Sequence, residues 1–142
     1  MWSRAEDEIH LLPDGYEGLV VIVFNRADGQ PKEYEGKKRV YRIPGNGILK
    51  TQFTEKRGTS KWRDAEYFYT KGDGSRSPIT YDPLNKLPSD NNRIEVQRTS
   101  VGMGEARKTD GAVNIFHRYV VSKNQNASIV LKRLFEIDIG DI

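Results

Sequence analysis

A group of aromatic and basic side chains between residues 61 and 69 is the best candidate for a ligand-binding site. Two of its tyrosines, Tyr67 and Tyr69, are two residues apart, so in a strand both rings face the same side of the sheet. Aromatic rings beside cations can stack on nucleic-acid bases or on sugars. Ordinary packing of the tyrosines across neighbouring strands is the alternative interpretation, and it is the commoner use of such residues. The predicted ligand-binding set consists of Lys61, Trp62, Arg63, Tyr67 and Tyr69.

The chain has two histidines, and neither has the spacing that predicts catalysis or metal binding. His10 and His117 each fall in a strand-like pattern without a second histidine at metal-ligand spacing. The absence of cysteine excludes disulfides, thiolate metal sites and cysteine nucleophiles. Neither a G-x-S-x-G elbow nor a phosphate-binding loop is present. We therefore assign no catalytic residue, no metal site and no cofactor. A hydrolase that uses carboxylates or a histidine stays open, because spacing in sequence does not report spacing in space.

Three aspartates, Asp73, Asp82 and Asp90, are the candidate ligands for a calcium ion held by loops. Carboxylate oxygens are the ligands that Ca²⁺ prefers, but the spacing of these residues does not match an EF-hand loop. The calcium site is therefore an alternative, and the prediction is that the protein has no metal site.

The charged side chains are divided between two blocks of the sequence. Residues 1–35 hold eight acidic and three basic side chains, whereas residues 36–63 hold nine basic side chains and one acidic. Pairing of these blocks across a sheet would neutralise both. A nucleic-acid-binding surface formed by the 36–63 block is the alternative, and the pairing of charges is favoured over it.

Residues 11–51 carry the strongest local signals and predict three strands joined by two turns. The six apolar side chains at 19–24 suit a strand that is buried on both faces. Gly29 and Gly47 each end a turn cluster, where a glycine adopts positive φ or prevents the clash that a Cβ would cause. The two strands that follow the first are predicted at residues 39–43 and 48–53.

The complete pattern predicts a mainly all-β protein, a sandwich of seven or eight short strands with a short C-terminal helix. Gly102 and Gly104 are predicted to end an alternating strand, which a polar, flexible loop follows. The other predicted strands are a short one at 8–12, a hairpin at 64–70 and 78–82, the alternating strand at 93–101 and a core strand at 113–122. The loop that follows the alternating strand is predicted at 105–111.

The C-terminal helix is predicted at residues 127–136. Its apolar side chains recur at helical spacing and Asn126 precedes them as a helix cap, although a strand is the alternative there. The 142 residues fit one domain, which we place at 9–142 after a flexible leader at 1–8. Mean hydropathy is −0.72 and no apolar run approaches the length of a membrane span, so the composition predicts a soluble chain.

The stretch at residues 11–53 resembles a family of small bacterial exported proteins. The motifs that carry the resemblance are LPDGYEG, then an apolar strand that ends in Phe24 and Asn25, and after it GQPKE, YRIP and GILKT. Members of that family are often predicted lipoproteins, and they carry a domain of unknown function. The resemblance implies a transthyretin-like or immunoglobulin-like module, and it brings no catalytic residues with it. It also implies the periplasm or cell surface, with a lipid anchor upstream of Trp2 that is absent from this chain; the cytoplasm is the alternative.

Taken together, the residues and the resemblance predict a non-enzymatic binding or structural module of the bacterial cell envelope. Its partner is an unknown protein or a small ligand. The alternatives are a hydrolase with a carboxylate and histidine site and a nucleic-acid-binding module that uses the 36–63 block.

Overall fold

The structure is a computed structural model, which describes residues 7–55, 65–123 and 138–142 together with residues 126 and 132. Its described part contains nine strands and a short 3-10 helix. The strands are β1 (Glu8–Pro13), β2 (Gly18–Val23), β3 (Tyr34–Glu35), β4 (Lys38–Arg42), β5 (Ile48–Lys50), β6 (Ala65–Thr70), β7 (Arg76–Pro78), β8 (Ile94–Arg107) and β9 (Val113–Lys123), and the 3-10 helix is Ile139–Asp141.

The strands form two sheets, so the prediction of an all-β sandwich is confirmed. One sheet has five strands in the order β3-β4-β1-β6-β7, and the other has four in the order β5-β2-β9-β8. The predicted helix at 127–136 lies, except for residue 132, outside the described residues. The leader at 1–8 stays a prediction, because residues 1–6 are also outside them, but β1 already begins at Glu8.

Strand β2 is buried on both faces, as its run of apolar side chains predicted. Val20, Ile22 and Phe24 belong to the core between the sheets. Val21 and Val23 face the other way and pack in a second cluster that includes Ile139 of the 3-10 helix. Every residue of the strand is buried from solvent. This explains why its sequence has no alternation of polar and apolar residues.

The strands at residues 11–51 are not paired in chain order: β4 pairs with neither β2 nor β5, and the hairpin in this stretch joins β3 to β4. Strand β4 pairs in parallel with β1, and β5 pairs in parallel with β2. The chain therefore crosses from one sheet to the other between β2 and β4, and again between β4 and β5. The reason is that side-chain alternation and turn residues report burial and reversal, but they do not report which strand is the neighbour.

Gly29 and Gly47 both lie where the prediction placed a special backbone. Gly47 has φ of 80°, and a Cβ there would lie 2.4 Å from the carbonyl oxygen of Leu19. Gly29 approaches a neighbouring strand so closely that its Cβ would lie 2.7 Å from the backbone carbon of Lys50. The prediction for both glycines is confirmed.

Gly102 and Gly104 do not end their strand, contrary to the prediction, and residues 105–107 are strand rather than loop. Strand β8 continues to Arg107, with a shift of register against β9 between Arg98 and Met103. Glycines within an edge strand favour such a bulge, because they accept backbone angles that interrupt the ladder without ending it.

An ion pair joins the two edge strands of the five-stranded sheet. Arg76 Nη2 on β7 lies 2.8 Å from Glu35 Oε2 on β3, although three strands separate β3 from β7. In a flat sheet these edges would be ~19 Å apart, at about 4.8 Å for each strand spacing. The sheet therefore curls instead of extending flat.

Candidate functional site

The two tyrosines of the predicted ligand-binding set face the core. Tyr67 is 2% exposed, and its ring centroid lies 4.6 Å from that of His10 and 5.1 Å from that of Tyr119. Tyr69 is partly buried and donates a hydrogen bond to the carbonyl oxygen of Tyr16 at 2.7 Å. Burial raises the pKa of Tyr69 to about 12. These contacts favour packing for both tyrosines. Lys61, Trp62 and Arg63 lie outside the described residues, so the ligand-binding role of the set stays a prediction.

Four of the five described cations of the 36–63 block contact a carboxylate or a ring: Lys38, Arg39, Arg42 and Lys50. Arg42 forms a two-pronged ion pair with Glu33, with contacts of 2.7 and 2.9 Å. That contact holds the pKa of the Glu33 carboxyl below its ordinary value. Arg39 is buried, and its guanidinium stacks over the Phe53 ring at 4.6 Å. Lys38 pairs with Glu66 across β1. These contacts favour the pairing of charges over a nucleic-acid-binding surface.

The core contains a hydrogen-bonded chain of three polar side chains. His10 Nδ1 lies 2.8 Å from the Tyr119 hydroxyl, and His10 Nε2 lies 2.9 Å from Glu8 Oε1. Burial raises the pKa of Tyr119 well above its ordinary value, so the hydroxyl stays protonated. The Glu8 carboxylate only accepts, so Nε2 donates to it, and in this tautomer of the neutral ring Nδ1 accepts from the Tyr119 hydroxyl. We call Glu8, His10 and Tyr119 the buried triad.

The hydrogen bonds of the buried triad connect a carboxylate, an imidazole and a hydroxyl, which is the order of groups in the catalytic triad of a serine hydrolase. Tyr119 and His10 are, however, only 0% and 1% exposed, so protein atoms enclose both side chains. The hydroxyl cannot meet a substrate there. Because β1 belongs to one sheet and β9 to the other, the effect of the hydrogen bond is to tie the two sheets together.

His117 lies near the buried triad on β9. Its ring centroid is 6.4 Å from that of His10, and its residue is 8% exposed. Within the described ranges, no three side chains of His, Asp or Glu are placed to hold a metal ion. The three candidate calcium ligands do not converge. Each accepts backbone N–H bonds within its own loop: Asp73 from Ser75, Asp82 from Lys86 and Leu87, and Asp90 from Asn92.

A cavity of about 410 Å³ opens between the loop that follows β7 and the start of β8. We call it the cleft. Its base is fixed where the Val96 amide donates to the carbonyl oxygen of Thr80 at 2.8 Å. Its loop is folded by Asp82, whose two carboxylate oxygens accept the amides of Lys86 and Leu87, each at 2.9 Å. Those bonds, together with weaker attraction from nearby cations, lower the pKa of Asp82.

The wall of the cleft carries a pair of opposite charges. Arg93 Nη2 lies 3.2 Å from Glu95 Oε1, and the two side chains are 24% and 13% exposed. Arg93 Nε is enclosed and makes no hydrogen bond to any described group. Asn85, in the loop, has φ of 53°, a left-handed conformation that asparagine tolerates better than most residues. Strained residues of this kind cluster at ligand sites.

Neither the cleft nor the buried triad was predicted from the sequence. The loop at 83–92 holds two prolines and three asparagines, and nothing in it marks a binding wall. Glu8 and His10 are two residues apart, and this spacing would have predicted that both side chains face the same side of a strand. Their partner Tyr119 lies 109 residues from His10 in the chain, and no local pattern connects them.

No helix in the described part of the chain is long and apolar enough to cross a membrane.

Comparisons with known proteins confirm the resemblance of the sequence to a bacterial family that carries a domain of unknown function. The model of a family described as "Family of unknown function (DUF6843)" matches residues 4–129. A crystal structure described as "Putative Lipoprotein from Bacillus anthracis" is similar, with 19% sequence identity and a TM-score of 0.61. The similarity covers 83% of this chain and 71% of that one, and at this identity it shows the fold alone. No curated protein matches the chain.

Proposed function

The chain belongs to the family of unknown function DUF6843, and from that premise we propose that it is a non-enzymatic module of the bacterial cell envelope that binds a small ligand in the cleft. The single observation that carries the binding role is the cleft itself. Its volume of about 410 Å³ lies within the ~300–1,000 Å³ of small-molecule sites.

The side chains of the cleft fit a site that holds a ligand without transforming it. Its charged groups are already engaged, Arg93 with Glu95 and Asp82 with loop amides. A general acid or base needs a carboxyl with a raised pKa, whereas that of Asp82 is lowered.

The envelope location is the second part of the proposal. Its support is the family resemblance together with the lipoprotein description of the similar Bacillus anthracis structure. In this proposal a lipid attached upstream of Trp2 holds the protein at the cell surface or in the periplasm, and a cytoplasmic location is the alternative. The test is metabolic labelling of the full-length gene product with a fatty acid, followed by fractionation. Label in a membrane-bound product supports the anchor, and an unlabelled product in the cytosol contradicts it.

Ligand binding is tested with isotope-labelled protein and a library of neutral, anionic and cationic small molecules. We expect NMR shift changes that centre on the amides of Asn85 and Val96. A Ser89→Trp variant fills the mouth of the cleft and should abolish those changes. Ser75→Trp is the matched control, because Ser75 is also an exposed serine and lies on the turn between β6 and β7. Shift changes that survive Ser89→Trp, or that centre elsewhere, contradict a ligand site in the cleft.

The hydrolase alternative has a separate test. A panel of ester, peptide, glycoside and phosphate substrates should show background turnover only. Robust turnover that disappears in Glu95→Gln or His10→Gln would contradict the non-enzymatic proposal and identify the site of reaction.

A further inference from the structure

We infer that the ligand of the cleft is a neutral carbohydrate, bound with one face against the apolar wall and its hydroxyls toward the polar one. This inference rests on the proposed function, since it names the ligand class for the same cleft. It follows from three features of the described lining: the compensation of its charges, the chemistry of its uncharged polar side chains, and its apolar wall.

The charged groups of the cleft are engaged within the protein. Arg93 pairs with Glu95 at 3.2 Å, and Asp82 accepts two backbone N–H bonds and is attracted by the cations Arg93 and Lys86. An anionic ligand would bring a like charge toward Asp82 and Glu95, which is unfavourable. A cationic ligand would have to compete with Arg93 for Glu95 and with two amides for Asp82. The arrangement therefore favours a ligand without formal charge.

The uncharged polar side chains of the cleft both donate and accept hydrogen bonds. Asn85, Ser89 and Gln97 line it, and each carries a donor and an acceptor on the same group or on adjacent atoms. A hydroxyl has the same double character. A ring bearing several hydroxyls therefore matches these side chains, whereas a phosphate or carboxylate offers acceptors only.

The remaining lining is apolar. Tyr81, Pro83, Leu87 and Val96 contribute to it, and Leu87 is 47% exposed. A sugar ring has a C–H face with hydroxyls at its rim, so it can lie on such a wall while the rim meets Asn85 and Gln97. Tyr81 would meet the ring with its apolar body, because its hydroxyl is buried. The cavity has room for about one or two sugar rings, in the size range of other small-ligand sites.

The probes for the test are sugars that share one ring and differ in charge: glucose and N-acetylglucosamine as neutral ligands, glucuronic acid as the anion and glucosamine as the cation. Short neutral oligosaccharides extend the series. Titrations followed by NMR should shift the amides of Asn85 and Val96. We expect neutral sugars to bind at least about threefold more tightly than charged ones, with less than about a twofold change in affinity between low and high salt.

Two variants locate the contacts. Asn85→Gly keeps the left-handed backbone but removes the amide, and Glu95→Gln breaks the charge compensation of Arg93. The first should weaken binding of the neutral sugar at least about fivefold, the loss expected for a hydrogen-bonding group. The second should raise the relative affinity for glucuronic acid. Asn25→Gly is the matched control, because Asn25 has φ of 56° and does not line the cleft; its binding should equal that of the parent.

The outcomes separate this inference from the proposed function. Tighter binding of glucuronic acid or glucosamine than of the neutral sugars overturns the carbohydrate assignment. The carbohydrate assignment also fails if a library compound of another class binds in the cleft and no sugar does. In that case the proposed function, a module that binds a small ligand in the cleft, still stands. If neither the sugars nor the library shift the amides of the cleft, both the inference and the proposed ligand site fail.

Discussion

Replacement of Tyr119 by phenylalanine tests the tie between the two sheets. The change removes the hydroxyl that lies 2.8 Å from His10 Nδ1 and leaves the ring in place. Ring contacts with His10 at 5.2 Å and with Tyr67 at 5.1 Å are retained, so little packing is lost. His10 is 1% exposed, and water cannot replace the missing donor. A buried acceptor without its partner costs about 1–3 kcal/mol.

The free energy of unfolding should therefore fall by about 1–3 kcal/mol, measured by urea denaturation with an unchanged m-value. For a domain of this size each kcal/mol lowers Tm by ~2–4 °C. Tyr34→Phe is the matched control, because Tyr34 is 48% exposed, and it should change stability by less than about 0.5 kcal/mol. A double-mutant cycle with His10→Phe should give a coupling of at least about 0.5 kcal/mol.

The tautomer provides a second measurement. Nitrogen NMR of His10 should find the proton on Nε2, where the Glu8 carboxylate accepts it, and none on Nδ1. Two results would refute the reasoning: a Tyr119→Phe variant as stable as the Tyr34→Phe control, and a cycle with no coupling between the two positions. Either would mean that the hydrogen bond across the core does not stabilise the sandwich.

Three further changes test the burial, the turns and the surface charges. Val21→Asp should prevent folding, because Val21 is 0% exposed and an unpaired buried carboxylate costs several kcal/mol; a soluble variant that melts cooperatively would contradict this. Gly47→Ala should lower the unfolding free energy by more than about 1 kcal/mol, and Gly29→Ala should also destabilise through its contact with the neighbouring backbone; unchanged melting temperatures would argue against both. Arg42 lowers the pKa of Glu33 below its ordinary 4.5, so this pair stabilises the fold above that pH and the contribution is lost as pH falls through the lower folded value. Carboxyl NMR should find the pKa of Glu33 raised in Arg42→Gln, and an unchanged titration would count against the ion pair.

The local features of the fold could be predicted because they depend on neighbouring residues alone. The strand at 19–24 needed only its run of apolar side chains, and Gly47 needed only its place at the end of a turn cluster. The pairing of strands could not be predicted in the same way. Strand β4 adds to β1 in parallel, and nothing within residues 39–43 distinguishes that neighbour from β2. The bulge in β8 was missed for a related reason, since a glycine can end a strand or merely interrupt its ladder.

The candidate site depended even more on distant residues. Alternation placed Tyr67 and Tyr69 on one face, which is where they lie, but it could not decide whether that face was turned to the core or to water. The cleft lies where Thr80 docks against Glu95 and Val96, which are distant from it in the sequence. The loop at 83–92 has no apolar periodicity, so its folded shape leaves no local mark in the sequence.

The sequence by itself determined that this chain is a β protein, that the apolar run from residue 19 lies in a strand buried on both faces and that Gly29 and Gly47 stand at constrained turns. It also carried the family resemblance. Only the tertiary structure decided that His10 meets Tyr119, that Tyr67 packs between the sheets and that Arg93 and Glu95 neutralise each other beside a cleft. The physical reason is that a strand shows its burial in the alternation of its own residues, whereas hydrogen bonds and ion pairs across the sandwich join residues that only the folded chain brings together.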